Sequence, residues 1–501
     1  MIDALWVFLS TPMLLLWLSV AVPLGLFFGV VPGLGGKLAI ISVMPLLYRM
    51  DPASGVVFLI SLHAVVHTGG ALPAILFGIP GTGPSTATIA DGHALARKGE
   101  AVRALTASTA ASVIGGILGA VVLAALIPFA MTVVTWMSYP EIFFLALSGI
   151  LFCAILSEGA LAKGLLTGCF GLLLATVGTE KIFGTNRFTG GQEFLWGGID
   201  LITAILAIYA VPEMIELATK RSDIRTGPTV RQKNDVLHQQ WLGLRDILEH
   251  RWLILRTSII GSFIGIIPGL GGDVASWFCY GHAAQTSRTP EKFGKGAIEG
   301  VIGPEAANNS KEGGALVPTL FLGIPGSSGM AVLMVALVPL GISPGPGLAA
   351  EQPQLVWIMV WALVASNILA GLILYLISFR LDAVGRFRSE YLVPYVYLFV
   401  LISIYMSSGE WRFYVVMAGL ALVGFAFKKF DWPRAPFVIG FILGPAAEDA
   451  LVKSLGIWGS TFFMRPGSII IIAILIMGLA RLGRRMMRQA AQTAVFHHES
   501  R

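Results

Sequence analysis

Charge is scarce in this chain. Lys, Arg, Asp and Glu together make up 12% of its 501 residues, whereas 55% are hydrophobic. A soluble domain carries roughly 25% charged residues, and a mean hydropathy of +0.79 leaves too little polar surface to face water. Composition therefore excludes a soluble globular protein and predicts a multi-span integral membrane protein. Cysteine is scarce too. Cys153, Cys169 and Cys279 sit in apolar runs without CxxC spacing, which argues against a disulfide framework or zinc site and for small core residues. The N-terminus (Met1-Ile-Asp-Ala-Leu-Trp) lacks the basic stretch of a signal peptide. The apolar run Leu5–Val31 also exceeds an h-region of roughly 7–15 residues, so it is expected to stay as a first span. A net charge of +6 would suggest nucleic acid in a soluble chain. Here the basic residues fall in a few short loops, where the positive-inside rule accounts for them.

Glycine, by contrast, is abundant at 59 residues, and much of it is duplicated. Gly25-Leu-Phe-Phe-Gly-Val-Val-Pro32-Gly33-Leu34-Gly35-Gly36 returns as Gly261-Ser-Phe-Ile-Gly-Ile-Ile-Pro268-Gly269-Leu270-Gly271-Gly272. A second block, Gly69-Gly-Ala-Leu-Pro-Ala-Ile-Leu-Phe-Gly78-Ile-Pro80-Gly81-Thr82, returns in Gly313-Gly-Ala-Leu-Val-Pro-Thr-Leu-Phe-Leu-Gly323-Ile-Pro325-Gly326-Ser327. Pro32 and Pro268 are 236 positions apart and Pro80 and Pro325 are 245 apart. Two motifs in the same order at nearly one offset indicate internal duplication. Broken backbone at membrane depth is tolerated only where it lines a cavity or is buried in protein. Breaks at corresponding places of two halves therefore point to a transporter binding site.

Charge suggests how the halves are oriented. The loop after the first Gly-Ile-Pro-Gly block is basic (Arg97, Lys98, Arg103), and its counterpart after Ser343 has no Lys or Arg. The loop after the first Pro-Gly-Leu-Gly-Gly helix has only Arg49, whereas its counterpart has Arg288, Lys292 and Lys295. Opposite bias in equivalent loops predicts an inverted repeat. We expect an all-α polytopic membrane protein: residues 1–217 as the first repeat, 218–251 as a cytoplasmic connector, 252–480 as the second repeat and 481–501 as a basic cytoplasmic tail.

The candidate site residues follow from the breaks. Pro32, Gly33, Gly35, Gly36, Pro268, Gly269, Gly271 and Gly272 let the backbone turn, and free N–H groups of the following half-helix would bind an anion. The competing reading is a tight helix crossing. Gly81, Thr82, Ser85 and Thr86, with Gly326, Ser327 and Ser328, repeat the logic as caps or ligand hydroxyls. In the polar run Gly303–Gly314, Asn308 and Asn309 are candidates for substrate or cation, and Glu305 for a cation, a proton or a pair with Lys311. Thr86 is a further cation candidate, and a solvent-exposed loop is the competing reading of the run. Asp91 and His93 read equally well as a helix terminus near the surface. His63 and His67 are spaced i,i+4, but the sequence offers them no acidic third ligand, so no metal site is expected.

Two enzyme-like matches fail. Val31–Lys37 resembles a phosphate loop, but Val31 stands where its first Gly belongs and Leu38 where its Ser or Thr belongs, and the second copy has Asp273 in place of Lys37. Gly326-Ser-Ser-Gly329 resembles an intramembrane serine protease motif, but the only later histidines are His497 and His498 in the polar tail. No enzyme activity is expected.

At these residues the sequence resembles the large membrane subunit of the tripartite tricarboxylate transporter family. The carriers are both Pro-Gly-Leu-Gly-Gly stretches, Gly78–Thr82, Asp91-Gly92 with Arg97–Ala101, Pro304–Asn309, Gly313-Gly314 and Leu322–Ser327. The resemblance implies a secondary transporter in the bacterial inner membrane, working with a small membrane subunit (TctB-like) and a periplasmic solute-binding protein (TctC-like). It implies carboxylate uptake driven by a Na+ or H+ gradient, without a covalent cofactor. Where the family usually has a Tyr-rich stretch before Gly69-Gly70, this chain has His63-Ala-Val-Val-His67-Thr68, so citrate does not follow from the resemblance. We expect alternating access, of elevator type, around one anionic-substrate site, with the N-terminus periplasmic and the C-terminus cytoplasmic. A homodimer of the complex is compatible with this. An anion channel or a non-transporting membrane scaffold are the alternatives.

Overall fold

A computed structural model describes residues 1–31, 34–156, 161–180, 184–219, 233–267, 271–378, 393–473 and 475–476. The first half contains α1 (Ile2–Ser10), α2 (Pro12–Val30), α3 (Gly35–Leu47), α4 (Pro52–Phe77), α5 (Thr86–Arg97), α6 (Ala101–Trp136), α7 (Tyr139–Leu156), α8 (Leu161–Ala175), α9 (Leu201–Ile205) and α10 (Val211–Thr219). The connector holds α11 (Lys233–Glu249), and the second half contains α12 (Arg251–Ile266), α13 (Gly271–Thr286), α14 (Glu299–Val317), α15 (Ser328–Leu337), α16 (Leu348–Glu351), α17 (Pro353–Ile377), α18 (Val393–Ser408), α19 (Phe413–Lys429) and α20 (Ala435–Trp458). One two-stranded antiparallel ribbon, β1 (Gly178–Thr179) with β2 (Asn186–Arg187), is the exception to an all-helical chain. The basic tail 481–501 lies outside the described residues, as do residues 220–232 of the connector. Its described part includes α11, which Arg103 of α6 holds through a two-pronged contact with Asp246 at 2.6 and 2.8 Å.

The local signals explain where the helices stop and start. α4 opens on Pro52, with the Asp51 carboxylate accepting the Ser54 N–H at 3.0 Å. It closes at Gly78, whose φ of +67° is a left-handed cap. α14 runs on through a π turn at Pro318–Leu322 and closes the same way at Gly323, φ +68°. Gly35 and Gly271, which open α3 and α13, share another positive φ, +62° and +66°. All four glycines therefore occupy backbone conformations that other residues adopt only under strain.

α4 and α14 are the two central helices, buried along nearly their whole length. α4 packs on α2 of its own half and α17 of the other; α14 packs on α12 of its own half and α6 of the other. The long helix that comes after the second break of each half, α6 or α17, thus packs on the central helix of the other half. Glycines permit the close crossings, as small residues do in lipid. A Cβ on Gly25 or Gly29 would fall 2.4 Å from the Leu62 carbonyl oxygen or 2.1 Å from that of Val66. A Cβ on Gly261 or Gly265 would fall 2.5 Å from the Ala307 oxygen or 2.3 Å from that of Lys311. The tight-crossing reading therefore applies to these four residues of the repeated stretch.

α7, α8 and α20 pack together to one side, around a smaller core that includes Ala146, Ile439 and Leu443. Among the described residues, four helices are long and apolar enough to cross a membrane: Pro12–Val30, Pro52–Phe77, the Ala101–Ala130 part of α6, and Pro353–Ile377. A fifth arises if the pair Pro436–Met464 and Pro466–Ala473, bent by 60°, is one span. Many large apolar side chains, Trp6, Phe129, Trp136 and Leu422 among them, face outward, as a lipid-facing surface requires. Cys279 is buried as expected, but Cys169 is exposed on α8 and is no core residue.

Candidate functional site

The helix that follows one break of each half meets the helix that follows the other break of the opposite half. α3 packs on α15, and α13 packs on the single turn Gly83–Ser85 that precedes α5. In the first junction the His63 ring is wedged between two N-terminal turns. A Cβ on Gly36 would lie 2.8 Å from His63 Nδ1, and one on Gly329 would lie 2.7 Å from His63 Cε1. In the second junction a Cβ on Gly272 would lie 2.6 Å from Pro84, 2.8 Å from Lys311 Cε and 3.2 Å from Asn308 Oδ1. His63 and Asn308 are 245 positions apart, the offset of the Gly-Ile-Pro-Gly blocks. Corresponding side chains therefore fill corresponding places, one at each Gly-Gly turn. A Cβ on Gly35 or on Gly271 would meet nothing within 4 Å, so the backbone beside both turns is open.

The polar run is not a solvent loop. Residues 300–316 of α14 are buried throughout, and each polar side chain there needs a partner or a ligand. Asn309 Nδ2 donates to Thr68 Oγ1 at 2.7 Å and to Asn367 Oδ1 at 2.8 Å, joining α14 to α4 and α17. Glu305 accepts hydrogen bonds from Thr88 and, at 3.1 Å, from Ser112. Asn308 is different: it is 1% exposed, and neither atom of its amide has a hydrogen-bond partner among the described residues. An unpartnered buried amide costs free energy that only a ligand or solvent can recover.

The other candidate hydroxyls are engaged locally. Ser85 Oγ donates to the Thr82 carbonyl at 2.7 Å and accepts the Thr82 N–H at 3.2 Å. Thr86 Oγ1 donates to the Gly83 carbonyl at 2.8 Å and accepts from Trp277 Nε1 at 3.0 Å, so it is committed to the turn. Ser327 caps α15 by accepting the Met330 N–H at 3.2 Å, with Ser328 in the first turn. Thr82 packs on Gly70. Gly81 and Gly326 serve close packing: a Cβ would fall 2.2 Å from the Gly29 carbonyl oxygen and 2.9 Å from that of Gly265, respectively. Pro32, Gly33, Pro268 and Gly269 lie outside the described residues.

Several partners were invisible in the sequence. Glu312 reaches both histidines: its Oε1 lies 2.9 Å from His67 Nε2 and its Oε2 3.4 Å from His63 Nε2. The Lys311 ammonium contacts the same carboxylate. Donor atoms of His63, His67 and Glu312 lie within 4.8 Å of one another, the spacing of a metal site. However, Lys311 already neutralises the shared carboxylate, which weakens it as a ligand for a metal dication. Asp91, read as a surface terminus, is wholly buried. It accepts the Gly296 and Ala297 N–H groups at 2.7 and 2.8 Å and the Tyr280 hydroxyl at 3.0 Å, tying α5 to the segment that leads into α14. His93 Nδ1 lies 3.1 Å from the Ile75 carbonyl oxygen.

Two clefts lie elsewhere. One of about 260 Å³ is lined by Glu180, Arg187 and Glu448, and another of about 580 Å³ by Leu105, Leu248 and Leu372.

A family model described as the tripartite tricarboxylate transporter TctA family matches residues 15–439. An uncharacterized 52.8 kDa protein in the TAR-I ttuC' 3' region of Agrobacterium vitis is 32% identical over 478 residues, covering 94% of this chain and 92% of that protein. A protein in the TAR-II ttuC' 3' region of the same organism is 34% identical over 203 residues, covering 39% of this chain and 81% of that protein. No solved structure matches the chain.

Proposed function

The chain belongs to the tripartite tricarboxylate transporter TctA family, and from that premise we propose that it is the permease that imports a di- or tricarboxylate by cation symport with alternating access. It would act in the bacterial inner membrane beside a small TctB-like membrane subunit and a TctC-like periplasmic binding protein. The two halves would be inverted repeats, with the N-terminus periplasmic and the C-terminus cytoplasmic. Both pairs of breaks would travel together as one elevator body.

The observation that carries this reading is the unpartnered amide of Asn308 at the Gly272 turn. It lies in a region where two helix N-terminal turns converge, α13 and the turn before α5. Helix N-termini favour anions through their free N–H groups and the helix dipole, and an Asn amide adds a donor for a carboxylate oxygen. Among the described residues, Lys311 is the cation closest to this turn by the contacts on α14. A substrate with two or three carboxylates therefore needs further positive charge, which a symported cation supplies.

Proteoliposomes holding the whole complex test it. Labelled citrate, malate and tartrate are offered with and without an inward Na+ or proton gradient. Saturable, gradient-driven accumulation with substrate counterflow is expected. Equal rates with and without any gradient would remove symport, and non-saturating flux would favour a channel.

A further inference from the structure

Four ionisable side chains meet in the middle of the molecule: His63 and His67 of α4, and Lys311 and Glu312 of α14. They are 3%, 8%, 2% and 1% exposed. The Glu312 carboxylate is shared by all three partners. With both imidazoles neutral, Lys311 and Glu312 cancel and the cluster carries no net charge. That is the arrangement a low-dielectric interior favours when nothing else is bound. Both Nε2 atoms face the Glu312 carboxylate, and neither Nδ1 has a hydrogen-bond partner among the described residues. An imidazole nitrogen 2.9 Å from a carboxylate oxygen has room for one more proton between them.

We propose that His63, His67 and Glu312 form a proton-binding site, and that its proton is the cation coupled to carboxylate import. The inference rests on the transport reading and names its coupling ion. A sodium ion prefers a cage of oxygens, whereas this cluster offers two imidazoles and one carboxylate already paired with an ammonium. A proton needs no cage. It passes from water to Nε2 of His63 or His67, is shared with the Glu312 carboxylate that both face, and is returned to water on the other side.

The position of His63 supplies the coupling. Its ring lies against the second residue of α3 and the second residue of α15, at the positive ends of two helix dipoles. A positive imidazolium there is unfavourable alone and favourable once an anion is bound at the Gly272 turn, to which Lys311 joins the cluster. Proton and carboxylate therefore raise each other's affinity by the same factor. Many of the ionisable groups on the packed elements have contacts of their own. α2 and α15 carry no ionisable group and α17 only Tyr375. On α3, Lys37 lies over the Tyr209 ring at 5.0 Å. On α13, Asp273 lies against Gly83, and Cys279 is turned to the Thr257 carbonyl. On α5, Asp91 is held by Gly296, Ala297 and Tyr280, while His93 meets the Ile75 carbonyl. Glu305 is bonded by Thr88 and Ser112. Arg103 of α6 pairs with Glu100 and Asp246, and Arg256 of α12 bonds the Trp252 carbonyl.

The test uses the complete complex in proteoliposomes loaded with a pH-sensitive dye, with labelled citrate, malate and tartrate as probes. Counterflow at equal pH reports the substrate path; accumulation under an inward proton gradient reports coupling. In the wild type, dye acidification is expected to accompany uptake. In Glu312→Gln and His67→Gln the ratio of gradient-driven accumulation to counterflow is expected to fall at least about tenfold. His63→Asn, which installs the residue found at the corresponding position 308, covers the case in which a Glu312 variant does not fold, and the same fall in ratio is expected. Sodium-driven uptake without acidification would overturn the proton assignment, as would an unchanged ratio in the folded variants. A stoichiometric transition metal in the purified protein would overturn it too. A wild type without counterflow of any probe instead sinks the transport reading beneath it.

Discussion

His67 Nε2 lies 2.9 Å from Oε1 of Glu312, and the two residues hold corresponding places in the duplicated halves, 245 positions apart. Corresponding positions can touch only where the duplicated parts face one another, so this contact marks the centre of the arrangement. An exchange of the two side chains is therefore expected to be tolerated better than either half of it. His67→Glu alone sets two carboxylates together, and Glu312→His alone leaves Lys311 without its anion; each is expected to cost about 3–5 kcal/mol. The double exchange should recover much of that loss, read as folded yield and thermal midpoint in detergent. A double variant no better than the worse single one would contradict the correspondence.

Asn308 separates function from stability. Its amide has no protein partner to lose, so Asn308→Ala is expected to change the thermal midpoint little, within about 0.5 kcal/mol. Carboxylate uptake should fall roughly 10- to 150-fold, the loss of one buried hydrogen bond to a charged group. Matched losses in stability and uptake would show Asn308 to be a packing residue.

Glycines divide by what surrounds them. Gly81→Ala would drive its Cβ to 2.2 Å from the Gly29 carbonyl oxygen and 2.7 Å from Gly70 Cα, an overlap expected to cost about 1–3 kcal/mol or more. Gly419, in the interior of α19, has nothing within 4 Å of its Cβ position. Gly419→Ala is thus expected to raise stability by about 0.5–1 kcal/mol through helix propensity. Thermal unfolding in one detergent compares the two.

His250 gives a pH dependence outside the membrane. Its Nε2 lies 3.5 Å from Glu299 Oε1, and its Nδ1 lies 2.8 Å from the Asp246 carbonyl oxygen. The contact with Glu299, opposed by partial burial, raises the imidazole's pKa above its ordinary 6.5. A group whose folded-state pKa is raised stabilises the fold fully below the unfolded value and loses that contribution as pH rises through the folded one. The difference in thermal midpoint between wild type and His250→Gln should therefore be largest below pH 6.5 and shrink above it. A difference that grew with pH would refute the sign.

The chain breaks were legible because backbone constraints leave a local trace. Gly35, Gly78, Gly271 and Gly323 all have positive φ, and a glycine two or three residues from a proline in an apolar run announces such a position. The exposed polar loop at 303–314 was the weakest reading. Pro304, two amides and three charges conceal a helix whose stability comes from its neighbours rather than its own propensity. Glu312 could not be assigned to His63 and His67 from spacing, because the contact spans 245 residues and depends on how α4 crosses α14. Asp91 was missed likewise, since Gly296 and Ala297 offer only main-chain N–H groups. The engaged hydroxyls of Ser85 and Thr86 are the reverse case: residue type suggested a ligand, and the turn claimed both.

The trading of α6 and α17 between halves bears on ancestry. In a half-length forebear the central helix would keep the cover of its own half, α2 on α4 or α12 on α14, and expose the face that α17 or α6 of the other half now covers. A second copy would supply that cover, so pairing before fusion fits this packing. Separate genes for residues 1–217 and 218–501, expressed together, should then still rebuild the assembly, while either alone should be degraded.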